Sequence, residues 1–202
     1  QRNGQVESQH FGTVVGLNAD GSVAFSVGDP TAIVFPRSSI KPLQATAMVE
    51  AGLTLPPRLL ALACASHDGR PEHLAGAREI LATAGLDESS LGNLIDYPLD
   101  DTERERAIRD GKQRTSLQMN CSGKHAGMLA TCVAAGWPTD KSYLSAEHAL
   151  QQHITNMIPS LAGEPAGHIA VDGCGAPAHA LSLIGLARAF RTIATAAAGT
   201  AA

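Results

Sequence analysis

Two β-type runs stand ahead of a long series of helical segments, and this grouping limits the folds that the chain can adopt. The runs cover residues 12–18 and 22–28, and the Asp20-Gly21 pair between them is a typical hairpin turn. A short strand is predicted later in the chain, over residues 168–171. Because strands and helices are grouped and do not alternate, the sequence predicts an α+β fold with a helical block packed on a sheet.

The helical part is marked by its apolar spacing and by prolines and glycines at its boundaries. Pro177 is predicted to start the last helix, and residues 195–202 form a tail without a cap. The predicted helices cover residues 38–51, 58–64, 71–84, 100–112, 145–158 and 177–195, with one more that ends near residue 135. No repeat or linker interrupts these segments, so a single domain is predicted over residues 1–202.

The amino-acid composition argues against two classes of protein, those that bind nucleic acid and those that span a membrane. Aromatic residues make up only 3% of the 202 residues while 44% are hydrophobic, so the core must pack through small side chains. The net charge is −4 and the basic residues are scattered, which gives no footprint for nucleic acid. No apolar run is long enough for a membrane span. The four cysteines are widely spaced in a chain without a secretory mark, which predicts reduced thiols and a cytoplasmic location.

A serine stands three residues before a lysine at the predicted start of the first helix, and Pro42 follows directly. Positions i and i+3 share a helix face, so the Ser38 hydroxyl and the Lys41 amine are expected to face one pocket. The first turn is the positive end of the helix dipole, which opposes a second positive charge and favours a developing oxyanion. Both effects suit a Ser–Lys nucleophile pair. The alternative is a solvated helix surface, because the spacing is common.

Ser66 and His67 follow a buried apolar helix at a point where Gly69 turns the chain. Polar groups at such a break can line a pocket. They can also cap the helix, with Ser66 bonding the free carbonyls and His67 at the surface, and the residues alone favour this second interpretation.

A thiol, an amine and an imidazole lie within five residues at Cys121, Lys124 and His125. They indicate either a packed helix start, a metal ligand set or an anion-binding turn. Cys-x-x-Lys is not a standard zinc spacing, because a lysine must lose its proton to coordinate.

A further thiol, Cys174, lies between two glycines in a tight turn, which is typical of a second metal ligand or a reactive thiol. Cys64 and Cys132 lie in apolar helical stretches and are predicted to be core residues.

In this order, these stretches resemble the rhizobial-type asparaginases, the third structural class of L-asparaginases, also called asparaginase II. The resemblance runs from about residue 6 to about residue 190. The motifs that carry it are Val6-Glu7-Ser8, Phe35-Pro36-Arg37-Ser38-Ser39-Ile40-Lys41-Pro42-Leu43-Gln44, Ala63-Cys64-Ala65-Ser66-His67, Asn120-Cys121-Ser122-Gly123-Lys124-His125-Ala126-Gly127-Met128 and Val171-Asp172-Gly173-Cys174.

The resemblance implies hydrolysis of L-asparagine to L-aspartate and ammonia through two Ser–Lys pairs. Ser38 with Lys41 matches the first pair, and Ser66 matches the serine of the second. The family's second lysine is expected beyond residue 202, so the chain is expected to lack its C-terminal part and several strands of an incomplete sheet. The implied fold is that of serine β-lactamases, penicillin-binding proteins and serine glutaminases.

The resemblance also implies a zinc ion that shapes the substrate pocket, and substrate contacts around it. The implied ligands are Cys121, Lys124 and Cys174. The implied substrate-binding residues are Arg37, His67, Asn120 and Asp172, with Asp172 on the α-amino group. A homodimer is implied as well. The alternatives left open are a glutaminase or another β-lactamase-like amidohydrolase, and an inactive zinc-binding fragment.

Overall fold

The computed structural model describes residues 1–197 of the chain. The predicted tail therefore lies, from residue 198 onward, outside the described residues. Seven α-helices are described: α1 (Lys41–Glu50), α2 (Pro57–Ala63), α3 (Pro71–Thr83), α4 (Asp101–Arg109), α5 (Ser122–Ala135), α6 (Ala149–Ala162) and α7 (Leu183–Thr195). Six short strands are described: β1 (Val14–Leu17), β2 (Val23–Val27), β3 (Ile33–Val34), β4 (Ile169–Val171), β5 (Pro177–His179) and β6 (Leu181–Ser182). Strands before and after one helical block make this an α+β arrangement, as predicted.

The strands form three separate two-stranded antiparallel sheets, β1 with β2, β3 with β6 and β4 with β5. The turn between β1 and β2 lies at Asp20-Gly21, as the sequence predicts. Gly21 has the positive φ of 88° that this turn requires. The pairing of β3 with β6 places the segment that leads into Arg37 beside the segment that follows β5. This pairing brings distant parts of the chain to one site.

The prediction that Pro177 starts a helix is wrong. Pro177 is the first residue of β5, which pairs with β4 across the turn at residues 172–176. The turn is closed by the Asp172 amide, which donates to the Ala176 carbonyl at 2.8 Å. A proline lacks an N–H group and has a fixed φ, so it suits the first residue of a strand as well as the first turn of a helix. The last helix begins six residues later, at Leu183, with the Ser182 hydroxyl accepting from the Gly185 amide.

The helical block packs around α5, which contacts α1, α2 and α3. Its first eleven residues are all buried. The larger core cluster includes Met48, Leu59, Ile80, Met128 and Leu129, all fully buried, with Cys132 among them and Cys64 packed against it. The small residues of α5 allow this close approach, which fits the low aromatic content.

By contrast, α4 buries only Ala107 and is the charged surface helix that the sequence predicts. Within residues 1–197, no helix combines the length and the apolarity that crossing a bilayer requires.

Gly123 marks the closest approach between α5 and α2. A Cβ atom at this position would lie 2.9 Å from the Leu62 carbonyl oxygen and 2.8 Å from its Cγ. We expect Gly123→Ala to lower the free energy of unfolding by about 1–3 kcal/mol, because the backbone of α2 must move. Urea denaturation measures this. Gly127→Ala is the matched control in the same helix, since its Cβ would meet only side-chain atoms, the Ala63 methyl group at 3.1 Å and the end of Met48 at 3.6 Å. An equal loss in both variants would contradict the argument.

Candidate functional site

Two serine hydroxyls and one lysine amine form a continuous hydrogen-bonded chain. The Ser38 and Ser66 hydroxyl oxygens lie 2.8 Å apart, and the Lys41 Nζ lies 2.7 Å from the Ser66 oxygen. The Lys41 amine also contacts the Ala65 carbonyl oxygen at 2.9 Å and the Cys121 sulfur at 3.3 Å. Residues that are far apart in sequence therefore meet at one nitrogen atom.

The Ser38 hydroxyl and the Lys41 amine were predicted to face one pocket as a pair, but in the described part of the chain they are linked only through Ser66. The first helix begins as a 3-10 turn, Arg37–Ile40, and becomes α-helical only at Lys41. The Lys41 backbone amide donates to the Ser38 carbonyl, but within residues 1–197 no hydrogen bond joins the Ser38 hydroxyl to the Lys41 amine, and the Ser66 hydroxyl lies between them. Arg37, the first residue of this turn, lies in the left-handed region with φ 52°, a conformation that is strained for a residue other than glycine.

Lys41 is almost completely buried, with 1% of its surface exposed. Burial lowers the pKa of its amine below the usual lysine value, because a charged amine loses its hydration there. The neighbouring Lys124 lowers this pKa further, and Cys121 opposes the shift. A lysine in this environment gains the capacity to accept a proton.

The interpretation of Ser66 and His67 as a surface helix cap is wrong. Ser66 bonds Ser38 and Lys41 instead of free helix carbonyls, and His67 is 97% buried with 3% exposed. Both ring nitrogens of His67 are engaged: Nε2 with the Ser122 hydroxyl at 2.8 Å, and Nδ1 as acceptor from the Gly69 amide at 3.1 Å. Burial lowers the pKa of His67 to about 4, so the ring is neutral. His67 thus ties the Ser66 segment to the start of α5.

Cys121 and Cys174 lie 53 residues apart in sequence and meet in the interior. The Cys174 thiol stabilises the Cys121 thiolate and lowers the pKa of Cys121 to about 6, while the pKa of Cys174 is raised. The amine of Lys124 lies 3.2 Å from the Cys174 sulfur. The exposed fraction is 4% for Cys121 and 1% for both Cys174 and Lys124. The three donor groups that the resemblance implied for zinc are therefore adjacent and shielded from solvent.

The chemistry of this donor set fits a zinc ion on one condition. Two sulfurs, one of which readily becomes a thiolate, are typical zinc ligands. Within residues 1–197, no group of three His, Cys, Asp or Glu side chains is placed to hold a metal ion. A zinc site at Cys121 and Cys174 therefore depends on Lys124 as the third ligand, in its neutral form.

Arg37 and Asp172 form an ion pair at the rim of this region. The Arg37 Nε lies 2.8 Å from the Asp172 Oδ1, and the Gly173 amide donates to the same oxygen at 2.8 Å. The pKa of Asp172 is lowered: burial acts to raise it, but the Gly173 amide, Lys124 and Arg37 together outweigh burial. Asp172 is therefore a fixed negative charge close to the buried amines.

Asn120 shapes the wall beside the serines. Its backbone carbonyl accepts from the His67 amide at 3.0 Å, and its side-chain oxygen lies 3.5 Å from the Cys121 sulfur. The four predicted substrate-binding residues thus surround the serine–lysine chain, two at the rim and two in the wall.

Sequence reasoning missed two buried polar side chains of this region, Gln44 and His179. Both line a small pocket together with Lys41, Lys124 and Asp172. Gln44 lies three residues after Lys41, on the same face of α1, and this spacing was the signal that could have identified it. His179 lies on β5, in a segment that was predicted to be helical, so no signal placed it here.

Comparison with known protein families identifies the family of this chain. A family model described as L-asparaginase II matches residues 1–202, the whole chain, which confirms the resemblance seen in the motifs. A search of curated proteins found no match.

Proposed function

Since the chain belongs to the L-asparaginase II family, we propose that it hydrolyses L-asparagine to L-aspartate and ammonia through an acyl-enzyme. The observation that carries the proposal is the hydrogen-bonded chain from Ser38 through Ser66 to Lys41, at 2.8 and 2.7 Å. Amide hydrolysis needs a nucleophile, a base that accepts its proton and a site that stabilises the oxyanion. A hydroxyl linked to a buried amine of lowered pKa supplies the first two.

In the proposed acylation, Ser38 is the nucleophile and Ser66 relays its proton. A neutral Lys41 amine donates its two N–H groups to the Ala65 carbonyl and the Cys121 sulfur, which leaves its lone pair for the Ser66 hydroxyl. As the Ser38 oxygen bonds to the side-chain amide carbon, its proton passes to Ser66, and the Ser66 proton passes to Lys41. The positive end of the helix that follows Ser38 favours the oxyanion.

Breakdown of the tetrahedral intermediate returns the proton. The protonated Lys41, acting through Ser66, gives its proton to the leaving nitrogen, and the C–N bond breaks to release ammonia. Water then attacks the aspartyl ester on Ser38, again with Lys41 as the base, and L-aspartate leaves. In this scheme Arg37 and Asp172 contact the substrate at the rim. His67 and Asn120 hold the wall that carries Ser66.

We propose that zinc, when bound, is held by Cys121, Cys174 and Lys124, and that it shapes the substrate pocket. There it would supply a positive charge next to Lys41 and Asp172. Zinc binding keeps both sulfurs as thiolates, and it removes a proton from the Lys124 amine.

The ligand proposal predicts a loss of metal without a loss of fold. We expect Cys121→Ala to lower the zinc content of the purified protein from about one equivalent to well below half, because one of three ligands is removed. Inductively coupled plasma mass spectrometry measures this. Cys64→Ala is the control, since Cys64 is partly buried and, within residues 1–197, its thiol makes no hydrogen bond to these donors. Unchanged zinc in Cys121→Ala would contradict the ligand assignment.

The direct test of the function compares ammonia release from L-asparagine and L-glutamine with opening of the β-lactam ring of nitrocefin, which is followed by its colour change. Preferred turnover of asparagine supports the proposal. Preferred turnover of glutamine or nitrocefin would show a related amidohydrolase instead. One bound zinc without turnover of any of the three would support the non-catalytic zinc-binding alternative.

Two finer proposals follow from family membership. We propose that the helical block and its antiparallel strands are related to the fold of serine β-lactamases, because both place a Ser-x-x-Lys segment at the start of a buried helix. We also propose a homodimer, which sedimentation velocity tests by mass.

A further inference from the structure

A small polar pocket beside Lys41 is lined by two residues whose buried acceptor atoms have no hydrogen-bond partner among residues 1–197. The pocket offers about 10 Å³ to the centre of a water-sized group, close to the roughly 10–15 Å³ that one such group needs. Gln44 and His179 line it, with exposed fractions of 2% and 1%. The Gln44 Oε1 and the His179 Nδ1 make no hydrogen bond within residues 1–197. Buried polar atoms are rarely left unpaired, so these two indicate a missing donor.

The hydrogen bonds around His179 identify its Nδ1 as an acceptor. The Thr155 hydroxyl donates its only hydrogen to the Gln151 carbonyl, at 2.8 Å. The same hydroxyl lies 2.9 Å from the His179 Nε2, so it must accept a hydrogen from that nitrogen. Burial keeps the ring neutral by lowering its pKa to about 4. A neutral ring with its hydrogen on Nε2 has a bare lone pair on Nδ1.

Asp172 adds a third acceptor and a negative charge to the same pocket. Its Oδ1 already accepts from the Arg37 guanidinium and the Gly173 amide. Its Oδ2 has only a long contact with the Cys174 sulfur, at 3.5 Å. One carboxylate oxygen is therefore free to accept a strong hydrogen bond.

The positive groups around the pocket are turned to other partners. Arg37 pairs with Asp172, and Lys124 donates to the Cys174 sulfur. Lys41 makes its three contacts with Ala65, Ser66 and Cys121. None of these contacts supplies a donor to the Gln44 Oε1 or the His179 Nδ1.

The resemblance already implies that Asp172 contacts the substrate's α-amino group. We propose that Gln44 and His179 complete this site, so that the pocket binds the α-ammonium group with Gln44 Oε1, His179 Nδ1 and Asp172 Oδ2 as its three acceptors. The inference rests on the proposed function and names the part of the substrate that gives selectivity. An ammonium group is about the size of a water molecule, and it carries three donors for three acceptors. A carboxylate brings no donor and would face two lone pairs and a negative charge. Lys41 lines the pocket and contacts Ser66, so one small molecule can reach both the pocket and the hydroxyls.

The test measures binding in a Ser38→Ala protein, in which no acyl-enzyme forms, by isothermal titration calorimetry. Three ligands are compared: L-asparagine, succinamate, which lacks the α-amino group, and 3-aminopropanamide, which lacks the α-carboxylate. We expect asparagine to bind at least tenfold more tightly than succinamate. Adding Gln44→Leu or His179→Leu should weaken asparagine and 3-aminopropanamide by roughly 10- to 100-fold, the range for a lost hydrogen bond to a charged group. Succinamate binding should change less than threefold.

Conservative variants distinguish loss of the acceptor atom from general damage to the fold. Gln44→Glu and His179→Asn each keep an acceptor near the original atom and should retain most of the preference for asparagine. Gln118→Leu is the matched control, because Gln118 also has an unpaired buried Oε1 but lines a different cavity. It should leave all three affinities unchanged.

Three results would overturn the inference. They are equal binding of asparagine and succinamate, equal weakening of both by Gln44→Leu, and weakening of succinamate alone, which would place the carboxylate in the pocket. Failure of the proposed function gives a different pattern. If the unmodified chain releases no ammonia but the ligand preferences hold, hydrolysis is disproved and the ammonium pocket stands.

Discussion

Lys41→Met is expected to reduce ammonia release from L-asparagine by on the order of 10³-fold, the middle of the range for loss of a general base. Methionine preserves most of the buried stem but has no lone pair that accepts the Ser66 proton. The Lys41 amine is the nitrogen that contacts the hydroxyl pair, at 2.7 Å from Ser66. A steady-state assay with coupled detection of ammonia measures the loss.

A second substitution distinguishes a base from a positive charge. Lys41→Arg keeps a cation and several donors, but a guanidinium does not give up its proton in this pH range. We expect it to be as inactive as Lys41→Met. Lys112→Met, which changes an exposed lysine, should retain full activity. Substantial activity in Lys41→Arg would show that Lys41 acts only through its charge.

Local patterns predicted most of the helices and the first hairpin. The Asp20-Gly21 turn, the proline at the start of α3 and the charged helix α4 each have a signal within a few residues, and each lies where that signal placed it. The strand β5 was missed because Pro177 fits two local structures equally well. Pairing with β4 makes this segment a strand and not a helix, and no local sequence pattern indicates that pairing.

The site was predicted less completely, for the same reason. The i and i+3 spacing correctly put Ser38 and Lys41 on one side of the first helix. It could not show that Ser66, 28 residues away, lies between them. The residues alone indicated that Cys174 could be a second metal ligand, but only the family resemblance paired it with Cys121, since 53 residues separate them. Gln44 had a local signal and His179 had none.

Burial explains why the contacts between residues that are distant in sequence determine the pKa values of the site. Lys41, Lys124 and both cysteines are polar groups that the fold places in its interior, where each can be stable only with partners. Their hydrogen bonds to one another lower the pKa of Cys121, and burial lowers that of Lys41. A surface Ser-x-x-Lys would keep an ordinary protonated lysine. The tertiary structure is therefore what separates this motif from its many inactive counterparts.

Ser38→Ala and Ser66→Ala are expected to fail at different steps, although both should lose at least 10²-fold in turnover. Without Ser38 no acyl-enzyme forms, so no covalent adduct should be found at any time. Without Ser66 the nucleophile remains but its proton has lost the direct path to Lys41, so acylation and deacylation both slow. A slow deacylation lets an aspartyl ester accumulate on Ser38.

Acid quenching followed by peptide mass spectrometry locates the adduct. In Ser66→Ala we expect it on the peptide that contains Ser38, and we expect Ser66→Thr to recover part of the rate because it restores a hydroxyl at the relay position. Ser39→Ala, which changes the neighbouring exposed serine in the same 3-10 turn, should behave as the unmodified protein. An adduct on Ser66 in Ser38→Ala would reverse the two roles. Lys41 would then act directly on its hydrogen-bonded neighbour, and Ser38 would become the residue that positions the hydroxyl.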